Sequence, residues 1–452
     1  MMTMTKNPFI INVCVYCVMA LGFATGLQAQ EPSKVMTLKD CMEYAISNST
    51  KLRIQQAATG DAKIARRDAV LQAFTPSLSS STYAYYNFGR SIDPETNTYF
   101  TQTSFHNSYG VSAGFDLFNG FQAVNNLKIS KTGLAISKSQ EKQAEADICL
   151  AVMEAYYNVV YNKRLADVYE EQVGAAELAL KKAQRQEELG QKGHADVVQM
   201  EADLADRKYD LITVRNSYKD QLSTLSDLMF WPEDEELVIE TSLPGWSTSI
   251  ASVEDVVDYA LENNPSVNIA EWTMQNAKKE LSTTEWQLLP SVGVYAGWNT
   301  SYYSIQGSQT KTFRDQFKNN GGEYVEMSVS FPIWGRMQKQ SRIAKQRNAL
   351  TKATAEYDQK RRDVESEVRR AIQDRDGSAA AYEQASHKSE VQAEAYNLNL
   401  KKLEQGLISS LEFQTATNNY LKSKADEMNS LFKYLIKNAV VRYYNGEEYI
   451  NQ

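Results

Sequence analysis

The strongest constraint on the fold is a run of about seventy residues without a proline, from Phe121 to Leu189, rich in Ala, Glu, Lys, Gln and Leu. At 1.5 Å per residue, one continuous helix here would be roughly 100 Å long. A second run of the same kind extends from Arg336 to Gln405. Helices of this length are several times longer than those of ordinary globular domains. The two runs therefore predict an elongated molecule that acts over a long distance.

The N-terminus has the pattern of an export signal. Lys6 is followed by an apolar stretch from Phe9 to Phe23 and by small residues that end at Ala29. This pattern predicts a cleaved signal peptide at residues 1–29. A membrane anchor is the alternative, but roughly fifteen apolar residues are short for a span that needs about twenty. The mature chain is therefore expected to be exported.

The charge balance argues against a nucleic-acid partner. The 452 residues carry a formal net charge of −8, and no Lys/Arg cluster alternates with stacking aromatic residues. The charged (23%) and hydrophobic (42%) fractions indicate a folded chain. Of the four cysteines, Cys14 and Cys17 leave with the predicted leader, and Cys41 and Cys149 remain. We expect these two to be unpaired thiols on helix faces, with a disulfide as the alternative.

An internal duplication divides the mature chain into two repeats. The segment from Thr37 to Asn48 begins with Ser/Thr and has an acidic residue three positions later, and the segment from Ser252 to Asn263 repeats this pattern 215 positions on (252 − 37). Such a start is typical of a helix N-cap. In each half a helical segment follows and is stopped by a proline, Pro76 or Pro290. We assign repeat 1 to residues 30–230, a linker to 231–251, repeat 2 to 252–444 and a C-terminal tail to 445–452.

After each proline the hydrophobic period changes from helical to alternating. The alternation predicts strands at about 77–88 and 108–118 in repeat 1 and at about 291–303 and 323–333 in repeat 2, with polar loops between them. Strands of roughly ten residues with one apolar face are typical of a transmembrane barrel, and a half-buried soluble sheet is the alternative. Four strands cannot close a barrel, and open edges are not tolerated in lipid. Three protomers would supply twelve strands, whereas two would supply eight and leave almost no lumen.

Each long helix turns back at a glycine. Gly190 and Gly406 lie 216 positions apart (406 − 190), and so do the acidic residues Asp196 and Glu412 that follow them. Glycine ends helices because it adopts the left-handed conformation without strain. Both halves are therefore predicted to contain helical hairpins with exposed tips. Apolar residues spaced alternately four and three apart indicate coiled-coil packing, in the set Tyr169, Val173, Ala176, Leu180, Ala183, Ala393, Tyr396, Leu400, Leu403 and Leu407.

This combination of features resembles the TolC-like outer-membrane efflux proteins over nearly the whole mature chain. The resemblance rests on the duplicated unit and on the second tip. There Gly406, Leu407 and Ser409 are similar to the family's Gly-Leu-x-small signature. The first tip departs from this signature because Gln191 stands in place of the leucine.

The resemblance implies a homotrimeric channel-tunnel without a cofactor. Its fold would be mainly α-helical, with long hairpins forming a coiled-coil α-barrel in the periplasm. Four strands per protomer would complete a twelve-stranded β-barrel in the lipid of the outer membrane. Family members dock through their tips onto a periplasmic membrane-fusion adaptor, which connects them to an inner-membrane pump. The expected docking residues are Gly190, Gly193, Gly406, Leu407 and Ser409.

The family often closes its tip with an acidic ring and a salt-bridge or aromatic lock. Asp196 and Glu412 occupy the acidic positions, but Ile408 and Leu403 stand where the basic and aromatic lock residues are usual. A more apolar closure is therefore expected. We hypothesise that Asp196 or Glu412 places three carboxylates at a pore constriction that favours cations. A solvated helix-cap carboxylate is the alternative.

Two other classes of function fit less of the sequence. The histidines His106, His194 and His387 have no spacing suited to a metal site, and no nucleophile or nucleotide-binding motif is present. We therefore predict that the chain is not an enzyme. A periplasmic or surface coiled-coil adhesin would explain the long helices. It would not explain four strands at matching points of two repeats.

Overall fold

The computed structural model describes residues 35–92, 96–101, 103–242, 252–307, 309–334 and 337–451. The predicted signal peptide at 1–29 and the last part of the predicted linker, 243–251, lie outside these ranges. Within the described ranges, no helix is both long enough and apolar enough to cross a membrane.

The first two helices of repeat 1 are both capped at their N-termini by nearby side chains. Thr37 and Asp40 form a capping box at the start of α1 (Leu38–Asn48), and Ser49 caps the start of α2 (Thr50–Phe74). The side-chain oxygens accept hydrogen bonds from N–H groups of the first turn that have no partner in the helix. The chain then forms β1 (Ser77–Asn87), β2 (Arg90–Ile92), β3 (Tyr99–Thr101), β4 (Ser104–Phe118), α3 (Gln122–Glu188) and α4 (His194–Met229).

Repeat 2 follows the same order, except that a short helix stands between its two strands. Ser252 caps α5 (Val253–Asn263), and Asn264 caps α6 (Pro265–Trp286), which starts with a proline at a position that needs no N–H. The remaining elements are β5 (Ser291–Ile305), α7 (Phe313–Asn319), β6 (Gly322–Ser330), α8 (Gln338–Glu404), α9 (Ser410–Tyr444) and a 3₁₀ turn (Tyr449–Asn451). Helices α3 and α8 each contain 67 residues, which corresponds to about 100 Å. The duplicated, mainly helical architecture predicted from the sequence is confirmed.

The four long strands form one antiparallel sheet in the order β1–β4–β5–β6. Its register places apolar side chains opposite one another on one face: Ala113 pairs with Leu78 and with Ala296, and Val292 pairs with Val329. Serine, glycine and tyrosine predominate on the other face. Among the described residues, β1 and β6 each leave one edge without a strand partner. The sheet of a single chain is therefore incomplete at both sides.

The ends of two strands differ from the sequence-based bounds. β4 begins at Ser104, before the predicted start at 108, because β5 continues to Ile305 and pairs with it. β6 ends at Ser330, before the predicted end at 333. Pro332 lies two positions after Ser330, and a proline cannot donate a hydrogen bond to a strand ladder.

Three short elements lie where the sequence pattern predicts only polar loops. β2 and β3 form a separate hairpin, in which the Arg90 guanidinium lies 4.3 Å from the ring centroid of Tyr99. Helix α7 packs beside the last part of β5, beyond the end of its pairing with β6. There the Gln316 side chain accepts from the Tyr303 N–H (3.0 Å) and donates to the Tyr303 carbonyl (2.8 Å). The Gln316 side-chain amide thus makes the two backbone hydrogen bonds that a neighbouring strand would otherwise make with Tyr303.

The main hydrophobic core lies around the middle of α3, a region that we call the waist. Side chains from α1, α3, α4, α9 and the linker meet there, and Leu225 is fully buried. The linker is held by its backbone, since Tyr156 Oη donates to the Glu240 carbonyl (2.6 Å) and Met36 pairs with Ile239 in a parallel bridge. A second, smaller cluster joins α5 to α8. The two repeats are therefore fastened together at the waist.

Both remaining cysteines lie in the waist core. Cys41 and Cys149 are buried free thiols in the structure. Burial, the larger cause, and nearby carboxylates raise the pKa of Cys41 to about 12 and that of Cys149 to about 11. Both thiols are therefore protonated at neutral pH.

The long helices pack as two hairpins, α3 with α4 and α8 with α9. In the half next to the sheet, α2 packs on α3, α3 on α6 and α6 on α8, so the helices keep the lateral order of the strands. At and beyond the waist, α3 also contacts α9, which joins the two hairpins. The hairpin tips therefore lie at the end of the molecule farthest from the sheet.

Candidate functional site at the hairpin tips

The turn at the first tip, tip 1, is a Schellman motif. The Gly190 N–H donates to the Glu187 carbonyl (2.8 Å), and the Gln191 N–H donates to the Gln186 carbonyl (2.8 Å). Gly190 has φ +69°, a left-handed conformation that costs other residues roughly 1–2 kcal/mol. No atom lies within 4 Å of the position that a Cβ would take. Glycine is therefore required here by the backbone conformation and not by a lack of space.

The second tip, tip 2, repeats this geometry. The Gly406 N–H donates to the Leu403 carbonyl (3.0 Å), the Leu407 N–H donates to the Lys402 carbonyl (2.9 Å), and Gly406 has φ +72°. Leu407 is the last member of the predicted apolar seam, but it lies beyond α8 and is 69% exposed. The left-handed glycine turns the chain off the helical path, so the seam ends before Leu407.

The return helices start differently at the two tips. At tip 2 the Ser409 hydroxyl accepts from the Glu412 N–H (3.2 Å), and the Glu412 carboxylate accepts from the Ser409 N–H (3.0 Å). At tip 1 helix α4 follows Gly193, which has no side chain to form such a cap. Asp196 is exposed in the first turn of α4. Glu412 is thus part of a capping box, whereas Asp196 is placed to interact with the helix dipole and solvent.

The apolar surface of the two tips is unequal. At tip 2, Leu407 and the 65% exposed Leu411 both face solvent. The equivalent positions at tip 1 are Gln191 and Ala195, and tip 1 instead exposes Leu189 at the end of α3. Burying such side chains in an interface would gain roughly 25 cal/mol per Å² of apolar surface. Tip 2 is therefore the more apolar of the two ends.

Two side-chain contacts lie near the surface of the tips. His194 Nδ1 lies within hydrogen-bond distance, 2.8 Å, of Glu187 Oε1 across tip 1, and Lys182 Nζ lies 3.6 Å from Glu404 Oε1 between α3 and α8. An exposed ion pair such as Lys182–Glu404 contributes roughly 0–1 kcal/mol. Within the described ranges, no group of three His, Cys, Asp or Glu side chains is placed to hold a metal ion.

A polar cluster that the sequence pattern did not reveal lies between the hairpins, near the tips. The buried Arg207 pairs with Asp203 at 3.1 Å, and the Tyr396 ring stacks on Tyr420 with centroids 5.0 Å apart. Arg207, Asp203, Tyr396 and Gln172 help to line a cavity of about 40 Å³. Burial is the largest cause of the raised pKa of Tyr396. A lone arginine on a long charged helix is usually solvated, so no sequence signal distinguishes the buried Arg207.

The predicted site residues occupy two neighbouring tips of one chain. Tip 1 contains Gly190, Gly193 and Asp196, and tip 2 contains Gly406, Leu407, Ser409 and Glu412. An apolar cluster of Ala183, Val197 and Met200, against which Leu403 packs, joins the two hairpins behind the tips. A ring of three carboxylates requires three copies of the chain.

Comparison with known proteins identifies relatives over most of this length. A family model described as outer membrane efflux protein matches residues 43–229 and 256–446. The outer membrane efflux protein BepC of Brucella suis biovar 1 (strain 1330) is 22% identical over 308 residues, which are 66% of this chain and 60% of BepC. The chain thus matches less than two thirds of the length of that relative.

Solved structures share the fold. The crystal structure of CusC superimposes with a TM-score of 0.75 at 14% identity, covering 90% of this chain and 92% of CusC. The outer membrane protein VceC of Vibrio cholerae gives a TM-score of 0.73 at 14% identity, covering 91% of this chain and 96% of VceC. The mainly helical fold with a four-stranded sheet is therefore shared with these two structures.

Proposed function

Because the chain belongs to the outer membrane efflux protein family, we propose that it forms the outer-membrane exit duct of a tripartite export system. Three copies form a channel-tunnel with a twelve-stranded β-barrel in the outer membrane and an α-helical duct in the periplasm. The tips contact a periplasmic membrane-fusion adaptor, which connects the duct to an inner-membrane pump. The pump supplies the energy, so the duct is passive and needs no cofactor.

The observation that carries the docking proposal is the exposed apolar surface of tip 2. Leu407 and Leu411 stand at the end of a 67-residue helix, at the far end of the molecule from the sheet. Two exposed leucines at the same tip support a protein contact there, because burying them against a partner would remove apolar surface from water. A helical hairpin of an adaptor offers the kind of apolar stripe that fits them.

The open sheet edges support assembly into a trimer. β1 and β6 end the sheet, and the helices that lie below them, α2 and α8, are also outermost. These two helices carry exposed apolar side chains, such as Ile54 on α2 and Leu398 on α8. Pairing β6 of one copy with β1 of the next closes the barrel at twelve strands and covers these side chains.

The tip carboxylates are the proposed constriction. Three copies place Asp196 and Glu412 in rings at the periplasmic entrance, where carboxylates favour cations. Asp196 is exposed at tip 1 and is not part of a side-chain capping box. Glu412 also serves as a cap, which fixes its position next to Ser409.

Docking is tested by adding one charge to each tip in turn. We expect Leu407→Glu to abolish efflux, because a carboxylate cannot be buried against an apolar partner surface. Gln191→Glu, at the equivalent position of tip 1, is the matched control and should retain most of the efflux. The measurements are cellular accumulation of a fluorescent efflux substrate and the mass of the detergent-purified trimer, which both variants should preserve.

Two results would contradict this proposal. Normal efflux by a Leu407→Glu trimer would exclude apolar docking at tip 2. Release of the protein from cells by osmotic shock, without any detergent, would instead indicate a coiled-coil adhesin.

A further inference from the structure

The face of the sheet on which serine, glycine and tyrosine predominate is called the small-residue face. It carries acidic side chains and no lysine or arginine. Within the described strands β1, β4, β5 and β6, the charged residues on this face are Asp116 and Glu326. Both side chains are exposed. Glu323 is also in β6, but it pairs with Trp298 and so lies on the apolar face. Any ligand of the small-residue face therefore meets negative charge.

The Tyr295 ring lies down on this face over two glycines. A methyl group at Gly114 would lie 2.8 Å from Tyr295 Cδ1, and one at Gly293 would lie 2.9 Å from Tyr295 Cε2. Such distances are too short for a real side chain, so the ring fills the space that both glycines leave. Tyr295 is nevertheless 39% exposed. The ring therefore rests on the sheet while a substantial part of Tyr295 stays exposed to solvent.

Tyr324 repeats the arrangement on the next strand. A methyl group at Gly297 would lie 2.8 Å from Tyr324 Cε1, and Tyr324 is 42% exposed. The carboxylates flank these rings: Glu326 is the cross-strand partner of Tyr295, and Asp116 is the partner of Gly293, on which the Tyr295 ring rests. Cross-strand partners have Cβ atoms about 4.5–5.5 Å apart. Each chain thus presents two partly exposed tyrosine rings next to two carboxylates.

We propose that this surface, formed by Tyr295, Tyr324, Asp116 and Glu326, binds organic cations on their way through the lumen. A cation over the face of a tyrosine is attracted by the ring quadrupole, and a neighbouring carboxylate adds Coulomb attraction. Aromatic and quaternary ammonium compounds offer both a cation and a weakly hydrated apolar surface. The inference rests on the proposed function, because closure of the sheet by three copies turns the small-residue face inward. It assigns a chemical class to the cargo.

The test uses single trimers of the full mature chain in a planar bilayer. Benzyltrimethylammonium is added on the extracellular side, and benzenesulfonate serves as an aromatic anion of similar size. We expect the cation to block the current in a concentration-dependent way and the anion to have little effect. Tyr295→Leu and Glu326→Gln should each raise the half-blocking concentration of the cation by about twofold to thirtyfold.

Conservative variants separate binding from a folding defect. Tyr295→Phe keeps the ring face and should retain the block, and Glu323→Gln neutralises a carboxylate of the same strand on the apolar face and should also retain it. Equal half-blocking concentrations for wild type, Tyr295→Leu and Glu326→Gln in conducting trimers would overturn the cation site. That result would not contradict the proposed exit duct. Equal block by the anion would overturn the cation site as well. A purified chain that stays monomeric in detergent and conducts no current would overturn the proposed function, and the cation site with it.

Discussion

Burial controls the chemistry of single residues at the waist. With pKa values raised to about 12 for Cys41 and about 11 for Cys149, about one thiol in a thousand or fewer is ionised at pH 8. We expect neither thiol to react with iodoacetamide at pH 8 in the folded protein and both to react after denaturation, as counted by mass spectrometry. Ser47→Cys, at an exposed position of α1, is the control and should react in the folded state. Fast labelling of the native thiols would show that the waist opens.

Residues whose role is local were predictable, and residues whose role depends on distant partners were not. Gly190, Gly406 and Ser409 act through their own turn, so the sequence identifies them. Gln316 satisfies the backbone of Tyr303, and Arg207 is buried between two hairpins. A polar side chain acquires such a role only when tertiary contacts place it, and one sequence carries no period that marks it.

At the scale of the helix, two glycines of the second hairpin have opposite effects. Gly377 lies inside α8 and Gly406 follows its end with φ +72°, and neither has an atom within 4 Å of a Cβ position. Gly377→Ala should stabilise the protein by about 0.5–1 kcal/mol, because alanine loses less backbone entropy in a helix. Gly406→Ala should destabilise it by roughly 1–2 kcal/mol, because alanine is strained in the left-handed region. Urea unfolding of the purified protein measures both changes.

The direction in which each variant changes the free energy of unfolding is the informative result. A loss of stability in Gly377→Ala would mean that α8 packs more closely there than a single chain shows. An unchanged midpoint in Gly406→Ala would mean that tip 2 contributes nothing to the unfolding transition.

Long elements could be predicted and short ones could not. A 67-residue helix repeats its pattern many times, and the absence of proline alone indicates it. Helix α7 has seven residues and β2 and β3 have three each, which is too short for a period to be recognised. β6 ends before Pro332, which cannot donate a ladder hydrogen bond, and β4 starts early because β5 still pairs with it there. Strand pairing therefore determines both ends, and the alternation of apolar residues does not show it.

At the scale of the whole molecule, the tip carboxylates should control ion selectivity. We expect the double variant Asp196→Asn with Glu412→Gln to lower the ratio of K⁺ to Cl⁻ permeability by on the order of twofold or more, because it removes two carboxylates per chain from the proposed entrance. Reversal potentials under a KCl gradient measure the ratio. Asp234→Asn, at an exposed linker position, should leave it unchanged. If the double variant behaves like this control, Asp196 and Glu412 serve only as helix-start carboxylates.

The assembly cannot be read from the order of residues in one chain. The four strands and their faces follow from the alternation of apolar residues, but the number of copies follows only from counting the strands needed to close a barrel. The partner of each tip likewise lies outside the chain. The sequence shows only which side chains the strands and tips offer to other copies or partners.

The duplicated tips have a consequence for symmetry. The proposed trimer would present six helical hairpin ends with nearly equivalent backbones, because both turns have the same hydrogen bonds. Their side chains are not equivalent, since Leu407 at one end alternates around the ring with Gln191 at the next. A ring of six identical partner molecules would therefore meet two kinds of site in alternation. Three of its copies would be held by apolar contacts and three more weakly, so such a ring would assemble and detach in two steps of three.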